Sequence, residues 1–344
     1  MTARRVLLRG TGAWIGSGEP IRAASVVLEG GRIAFAGPAW EAPPADEEIR
    51  GEWFLLPGIV DHHVHIGLSD PRAVLRGGVT SVRDLAWPPE DIFPLADISQ
   101  ATDYEGPTIA AAGPMVTTRG GYPSRAGWAP AGTGLEVAGA EAAAAAVARI
   151  AEQDPAVIKV ALNAEAGPTL TDPELVAVCG AAHERGLAVT AHVQGPGQTE
   201  RAVGAGVDEL AHCPWTERLS DDVVSTLART TAIVGTLDIH AANPSGLGIA
   251  VDNLRRFAAV GGRVRYGTDL GNGPIPPGIH LGEVRHLAEA GLDPAAILRA
   301  MTLSPLREGA QADVIGVAGD PFENLEALDR VRLVVRRGTV RVGP

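Results

Sequence analysis

Lysine is almost missing from this chain. Lys and Arg together number 29, and only one of them, Lys159, is lysine; every other cationic side chain is arginine. Cysteine occurs twice, at Cys179 and Cys213, too few and too unpatterned for a disulfide framework. Reduced thiols and a cytoplasmic location are therefore expected. Aromatic residues make up 4% of the chain, so its core must be built from Ala, Val, Leu and Ile. Positive charge is also outnumbered: the formal net charge is −12, which argues against the basic surface that nucleic acid or an anionic membrane would require. No apolar run approaches the roughly 18 residues needed to span a bilayer. In "MTARRVLLRG" the apolar stretch ends too soon for a signal peptide. The expected partner is a small-molecule substrate, and assembly into a homo-oligomer is compatible with this composition.

What is present divides into two patterns. Residues 4 to 40 alternate short apolar runs with Gly-containing turns, and "ADVIGVAG" and "VRLVVRRGTVRV" near the C-terminus resume that rhythm. Two such ends predict one small β-sandwich formed by residues 1–56 and 308–344. The intervening residues 57–307 alternate buried-strand runs with helical stretches, as a parallel α/β fold does. Eight strand candidates stand at 54–66, 78–85, 107–113, 156–162, 187–193, 207–213, 231–237 and 264–270. Helical patterns fall between them, among them 139–153, 172–186 (opening on an Asp cap), 280–292 and 293–302. Eight strand–helix units in about 250 residues predict a (β/α)8 TIM barrel.

In such a barrel the active site lies at the C-terminal ends of the strands. The polar residues predicted there are His63 and His65 on strand one, Lys159 on strand four, His192 on strand five, His212 on strand six and Asp269 on strand eight. All six are metal-ligand types. Residues i and i+2 of a strand share a face, so His63 and His65 can grip one ion together. Imidazole and carboxylate donors suit zinc or a similar divalent ion. A lone histidine at a strand end is usually structural; six ligand-type residues on five separate strands make a metal site the stronger reading.

Lys159 belongs to "AVIKVAL", a run with the character of a strand buried on both faces. Burial of an ammonium lowers its pKa toward the neutral amine. A neutral amine can take up CO2 as a carbamate, which converts a cation into a two-oxygen anion able to bridge two metal ions. Arginine stays protonated and cannot do this.

These residues resemble the amidohydrolase superfamily over essentially the whole chain. "LPGIVDHHVH" is close to its P-G-x-x-D-x-H-x-H signature, with Pro57, Gly58, Asp61, His63 and His65 in place. "VIKV", "AHERGLAVTAHV", "AGVDELAHC" and "YGTDLG" continue the pattern in order. With lysine on strand four, the chain is similar to the binuclear branch, particularly its prolidase-like, Xaa-Pro dipeptidase-like members. The resemblance implies two divalent ions, zinc above all. His63, His65 and Asp269 would hold one, His192 and His212 the other, and carboxylated Lys159 would bridge them. It implies hydrolysis of an amide C–N bond in a dipeptide-like, N-acyl-amino-acid or cyclic amide substrate, with Asp269 as general base and acid. The alternatives are a lactonase or esterase, a mononuclear deaminase or imidazolonepropionase-like hydrolase on the same site, and a non-catalytic scaffold protein of the same fold.

One departure concerns catalysis. Prolidase-like relatives carry Gly-Gly-His after strand three, whose His helps stabilise the oxyanion; here the stretch is "TTRGGYPSRAGW", with Tyr122 in that slot. A phenol can donate the same hydrogen bond. Arg119, Tyr122 and Trp128 on that loop, together with Trp215 and His240 after strands six and seven, are candidate substrate contacts, Arg119 through bidentate pairing with a substrate carboxylate. Asp84 is expected to be a hydrogen-bonding residue at the barrel mouth, Cys213 to face the core, and His183, His280 and His286 to be structural.

Overall fold

The computed structural model describes residues 4–344; Met1–Ala3, part of the expected first sandwich segment, lie outside the described residues. The β-branched and apolar alternation at the two ends folds into two facing sheets. Arg32–Pro38, Ala24–Glu29, Arg5–Arg9 and Glu47–Arg50 form a four-stranded sheet in that order. The second sheet is six-stranded and joins the ends of the chain: C-terminal Val314–Val317 lies antiparallel to N-terminal Phe54–Pro57, with Val331–Arg336 and Thr339–Val342 beyond it. Leu8, Val26, Leu28, Ile33, Trp53, Leu55, Leu333 and Val335 fill the space between the sheets.

The chain leaves this sandwich at Gly58 and enters a parallel α/β fold. Ile59–Val64, Val79–Asp84 and Thr108–Ala111 pair in one sheet. Met115–Thr118, Ile158–Asn163, Val189–Gln194, Glu209–Leu210, Ala232–Val234 and Arg263–Arg265 follow in a second, with Gly134–Val137 on its outer edge. Helices link the strands, and a single large apolar core runs through both layers. The strand ladder is not continuous around the ring. At one seam it is bridged by a backbone bond from Ala156 N–H to Ala111 O, 2.8 Å. At the other, His62 N–H donates to Tyr266 O (3.0 Å), Asp269 N–H to His63 O (2.9 Å) and His65 N–H to Leu270 O (2.7 Å). The eighth strand is thus regular only over Arg263–Arg265 and continues to Leu270 as an extended segment.

Two local differences from the sequence reading have plain causes. The third strand bends at Gly113, whose φ of 76° breaks the pleat, and resumes at Met115–Thr118, where Val116 pairs with Val160. The helix expected to open on Asp172 is capped by Thr171 instead. Thr171 and Glu174 form a capping box, and Asp172 takes the first helical position beside the positive end of the helix dipole.

Candidate metal-binding active site

The first strand ends in a kink of sequence, Asp61-His62-His63-Val64-His65, and alternation turns His63 and His65 inward. Gly267 lets the eighth strand close against them; a Cβ there would lie 2.4 Å from a Val234 methyl and 3.1 Å from the His63 nitrogen. Asp269 then adopts a left-handed φ of 60°, which its short side chain tolerates, and its carboxylate enters the same space. His63 Nε2 and His65 Nε2 each lie 3.3 Å from Asp269 Oδ1. All three residues are buried, and one donor atom from each lies within 4.8 Å of the others.

The hydrogen bonds on the far side of each ring decide what those atoms can be. His63 Nδ1 stands 2.7 Å from Ala211 O and His65 Nδ1 3.1 Å from Ala86 O. Carbonyls only accept, so each Nδ1 carries the proton and each neutral ring turns a lone pair toward the Asp269 carboxylate. Two ring nitrogens and an anion converging at this distance are held together by positive charge, whether a proton on a ring or a metal ion among them. Burial drives His63 well below its ordinary pKa. Burial also opposes charge on His65, but the Asp269 carboxylate outweighs it and raises that ring. The site demands positive charge, and the donor set is one a divalent metal ion fits.

His192 and His212 extend the cluster from strands five and six. The His212 ring lies 4.5 Å from His63 and 4.8 Å from His192, centroid to centroid. Its Nδ1 is 2.8 Å from the hydroxyl of Thr236, a buried non-glycine residue held at φ 46°. His192 Nε2 faces Asn163 Nδ2 at 3.3 Å. Burial keeps both rings neutral, lowering His192 to about 3, and so available as ligands.

Lys159 lies near enough for its charge to act on His63, His192 and His212, with no exposed surface and no hydrogen-bond partner for Nζ. Burial is the largest influence on it and lowers its pKa to about 7, against a smaller opposing pull from Asp269. A buried amine with nothing to bond is costly unless it is neutral or modified.

Aromatic side chains join these groups. Seven rings close a circuit: His65 to Trp128 (4.5 Å), Trp128 to Tyr122 (6.3 Å), Tyr122 to His192 (4.9 Å), His192 to Trp215 (5.8 Å), Trp215 to His212 (5.5 Å), His212 to His63, and His63 back to His65 (5.4 Å). His240 stacks on Trp215 at 4.4 Å. Trp128 Nε1–H donates to the Tyr122 hydroxyl over 3.1 Å, leaving the phenolic proton free to donate elsewhere. Burial raises the Tyr122 pKa above its ordinary value, so that proton is held.

Of the residues singled out by sequence, Arg119 does not join this assembly. It is exposed, and its charge acts with that of Arg125 on the surface carboxylate Glu136. Asp84 accepts from Ile66 N–H at 2.7 Å, and Cys213 donates to Ala250 O in the core. His280 and His286 both bind Asp238, at 2.5 and 3.1 Å. The sequence reading passed over Thr268, Thr236 and Asn163. Each is a small polar residue next to, or paired with, a ligand position at a strand end, and that placement was the available signal.

Comparison with known proteins agrees with this geometry. The sequence model of the Amidohydrolase family matches residues 54–339. An uncharacterised protein of Mycobacterium tuberculosis is 27% identical over 330 residues, covering 86% of each chain. Ochratoxinase of Aspergillus niger is 24% identical over 399 residues, covering 93% of this chain and 82% of that one. Among solved structures, a Xaa-Pro dipeptidase with bound methionine superposes with a TM-score of 0.85 at 21% identity, over 98% of this chain and 100% of that one. The A. niger ochratoxinase structure superposes with a TM-score of 0.84 at 22% identity, over 99% and 97%. The TIM-barrel architecture follows from these superpositions.

Proposed function

This chain belongs to the Amidohydrolase family, and from that premise we propose that it hydrolyses an amide C–N bond at a two-metal centre. The observation that carries the reading is the convergence of His63 Nε2, His65 Nε2 and Asp269 Oδ1 beside the partnerless Lys159 amine. In this reading His63, His65 and Asp269 hold one divalent ion, zinc being the best match to the donors, and His192 and His212 the other. Bound metal supplies Lewis-acid polarisation and acidifies a water near neutral pH.

The protein's own groups do the rest. Lys159, neutral in a large fraction of molecules near pH 7, adds CO2 to give a carbamate and releases one proton. The product carries two oxygens into the space between the two histidine pairs. Asp269 is kept ionised: burial pushes its pKa up, but His63, His65 and Asn272 outweigh it and hold it well below the usual carboxylate range. It is the group placed to take a proton from the attacking water and return it to the leaving nitrogen. Tyr122 stays protonated and donates to the oxyanion as the carbonyl becomes tetrahedral. The A. niger ochratoxinase and the Xaa-Pro dipeptidase bear names of enzymes that act on amide bonds, which supports the same bond class here.

Loading the purified protein with zinc and bicarbonate, counting bound metal, and screening amides against lactones and phosphoesters tests the reading. Two ions per chain with amide turnover is the expected result. One ion with deamination, or turnover of lactones alone, would reject it.

A further inference from the structure

Resting on that reading, the tautomer of His192 decides whether the second ion has one of its ligands. His63 and His65 bond through Nδ1 to carbonyls, and His212 bonds through Nδ1 to the Thr236 hydroxyl, so all three leave Nε2 for an ion. His192 is built the other way round. Among the described residues its hydrogen-bond neighbours lie at Nε2: Asn163 Nδ2 at 3.3 Å and Gln194 Oε1 at 3.4 Å.

Both amides are held in one orientation. Asn163 Oδ1 accepts from Glu165 N–H at 3.2 Å and Ala166 N–H at 3.0 Å, which turns its Nδ2 toward the ring. Gln194 Nε2 donates to Glu165 Oε2 at 2.7 Å, which leaves Gln194 Oε1 to accept from Asn163 Nδ2, also at 2.7 Å. Strand pairing sets this up: Asn163 ends the strand that bears Lys159, opposite Gln194, and Gln194 shares a face with His192 two residues before it. A proton on His192 Nε2 finds the second lone pair of Gln194 Oε1, so one oxygen takes both donors. A lone pair on Nε2 would instead accept from Asn163 and put the ring proton on Nδ1. No nitrogen of His192 would then remain for a metal.

We infer that Gln194, held by Glu165 and Asn163, is a positioning residue that accepts the Nε2–H of His192 and so makes Nδ1 the nitrogen offered to the second ion. His192 thus presents the opposite ring nitrogen from the other three histidines.

Two-bond nitrogen–proton NMR spectra of the histidine-labelled protein near neutral pH read each tautomer before any metal is added. Wild type should show His192 as Nε2–H and His63 as Nδ1–H, the latter fixed by Ala211 O and a measure of intact fold. Gln194→Met should move His192 to Nδ1–H while His63 keeps its form, and should weaken the second zinc ion about 10–100-fold with the first unchanged. The exchanged pair, Gln194→Glu with Glu165→Gln, keeps an acceptor beside Nε2 and a donor behind it. It should restore both the Nε2–H form and the second ion, and it decides the case should Gln194→Met lose the His63 signal. Nδ1–H on His192 in wild type overturns the inference, as does an unchanged Nε2–H in Gln194→Met or its loss in the exchanged pair. A single bound ion in wild type, with the tautomer still dependent on Gln194, sinks the two-metal reading and leaves the role of Gln194 standing.

Discussion

Asp61 grips Thr268 twice, its Oδ2 accepting from the threonine hydroxyl at 2.6 Å and its Oδ1 from the threonine N–H at 3.1 Å. The same Oδ1 accepts from His63 N–H at 3.0 Å. One buried carboxylate thus ties the strand that bears His63 to the segment that bears Asp269, across the seam where the strand ladder is broken. Burial raises its pKa to about 7, against the pull of those three donors.

Asp61→Ala leaves two backbone N–H groups and a hydroxyl unsatisfied at that seam, at about 1–3 kcal/mol each for groups that stay dry. The variant should lose at least about 3 kcal/mol of stability in urea unfolding and bind zinc about 10–100-fold more weakly, as loss of a group that orients ligands does. Thr268→Val keeps the volume and both backbone bonds, and should lose less on both counts. Unchanged zinc affinity in Asp61→Ala would mean that the ligands are positioned without it.

The Trp128-to-Tyr122 hydrogen bond predicts separable effects. Tyr122→Phe removes the donor to the oxyanion and should lower kcat about 100- to 1000-fold with little change in KM. Trp128→Phe keeps a ring against His65 but frees the phenol to rotate. It should lower kcat less, and adding it to Tyr122→Phe should cause little further loss. Additive losses in the double variant would show that the two residues act independently.

The fold and the candidate ligand set were legible because both rest on short-range rules. Period-two runs placed His63 and His65 on one face, and a lone lysine within an apolar run marked its own burial. The aromatic circuit was legible only as separate candidates. Trp128 meets His65 across a gap of more than sixty positions in sequence, and nothing local says that these rings touch. Arg119 departs the other way. Its loop position suited a substrate carboxylate, but its side chain is exposed, within the field of Glu136 on the edge strand Gly134–Val137. The capping by Thr171 turned on one residue, a scale at which helix starts are decided by side-chain bonds more than by pattern.

Glu283 predicts how stability depends on pH. Its carboxylate is fully buried, accepts from Leu237 and Asp238 N–H at 2.6 and 3.0 Å, and leaves Oε1 unpartnered against Gly235. Burial raises its pKa from 4.5 to about 8. The folded state therefore holds this proton more tightly than the unfolded chain. The resulting stability is complete below about 4.5 and is lost as pH rises through about 8, with a slope of at most about 1.4 kcal/mol per pH unit. Glu283→Gln keeps an acceptor and removes the titration. Its stability relative to wild type should climb between pH 5 and pH 8.5, read as diverging urea midpoints. Parallel curves would rule out Glu283 as the source.

Lys159→Ala tests the centre of the proposal. Removing the amine removes the group that CO2 would convert into a bridging anion in the proposed centre, while His63, His65 and Asp269 keep their own hydrogen bonds. The variant should retain one tightly bound ion, lose the second, and lose most turnover. A short carboxylate such as propionate, small enough to enter the space the side chain vacates, should restore part of the activity and the second ion together. Arginine at this position should not substitute, since it stays charged and cannot add CO2. Deleting the amine also removes a buried, partnerless polar group, so the stability loss of the metal-free protein should be smaller than that of an ordinary large-to-alanine core change, which runs at about 2–5 kcal/mol. Full activity and two ions in Lys159→Ala would sink the carbamate; a folded variant with one ion and propionate-dependent turnover would establish it.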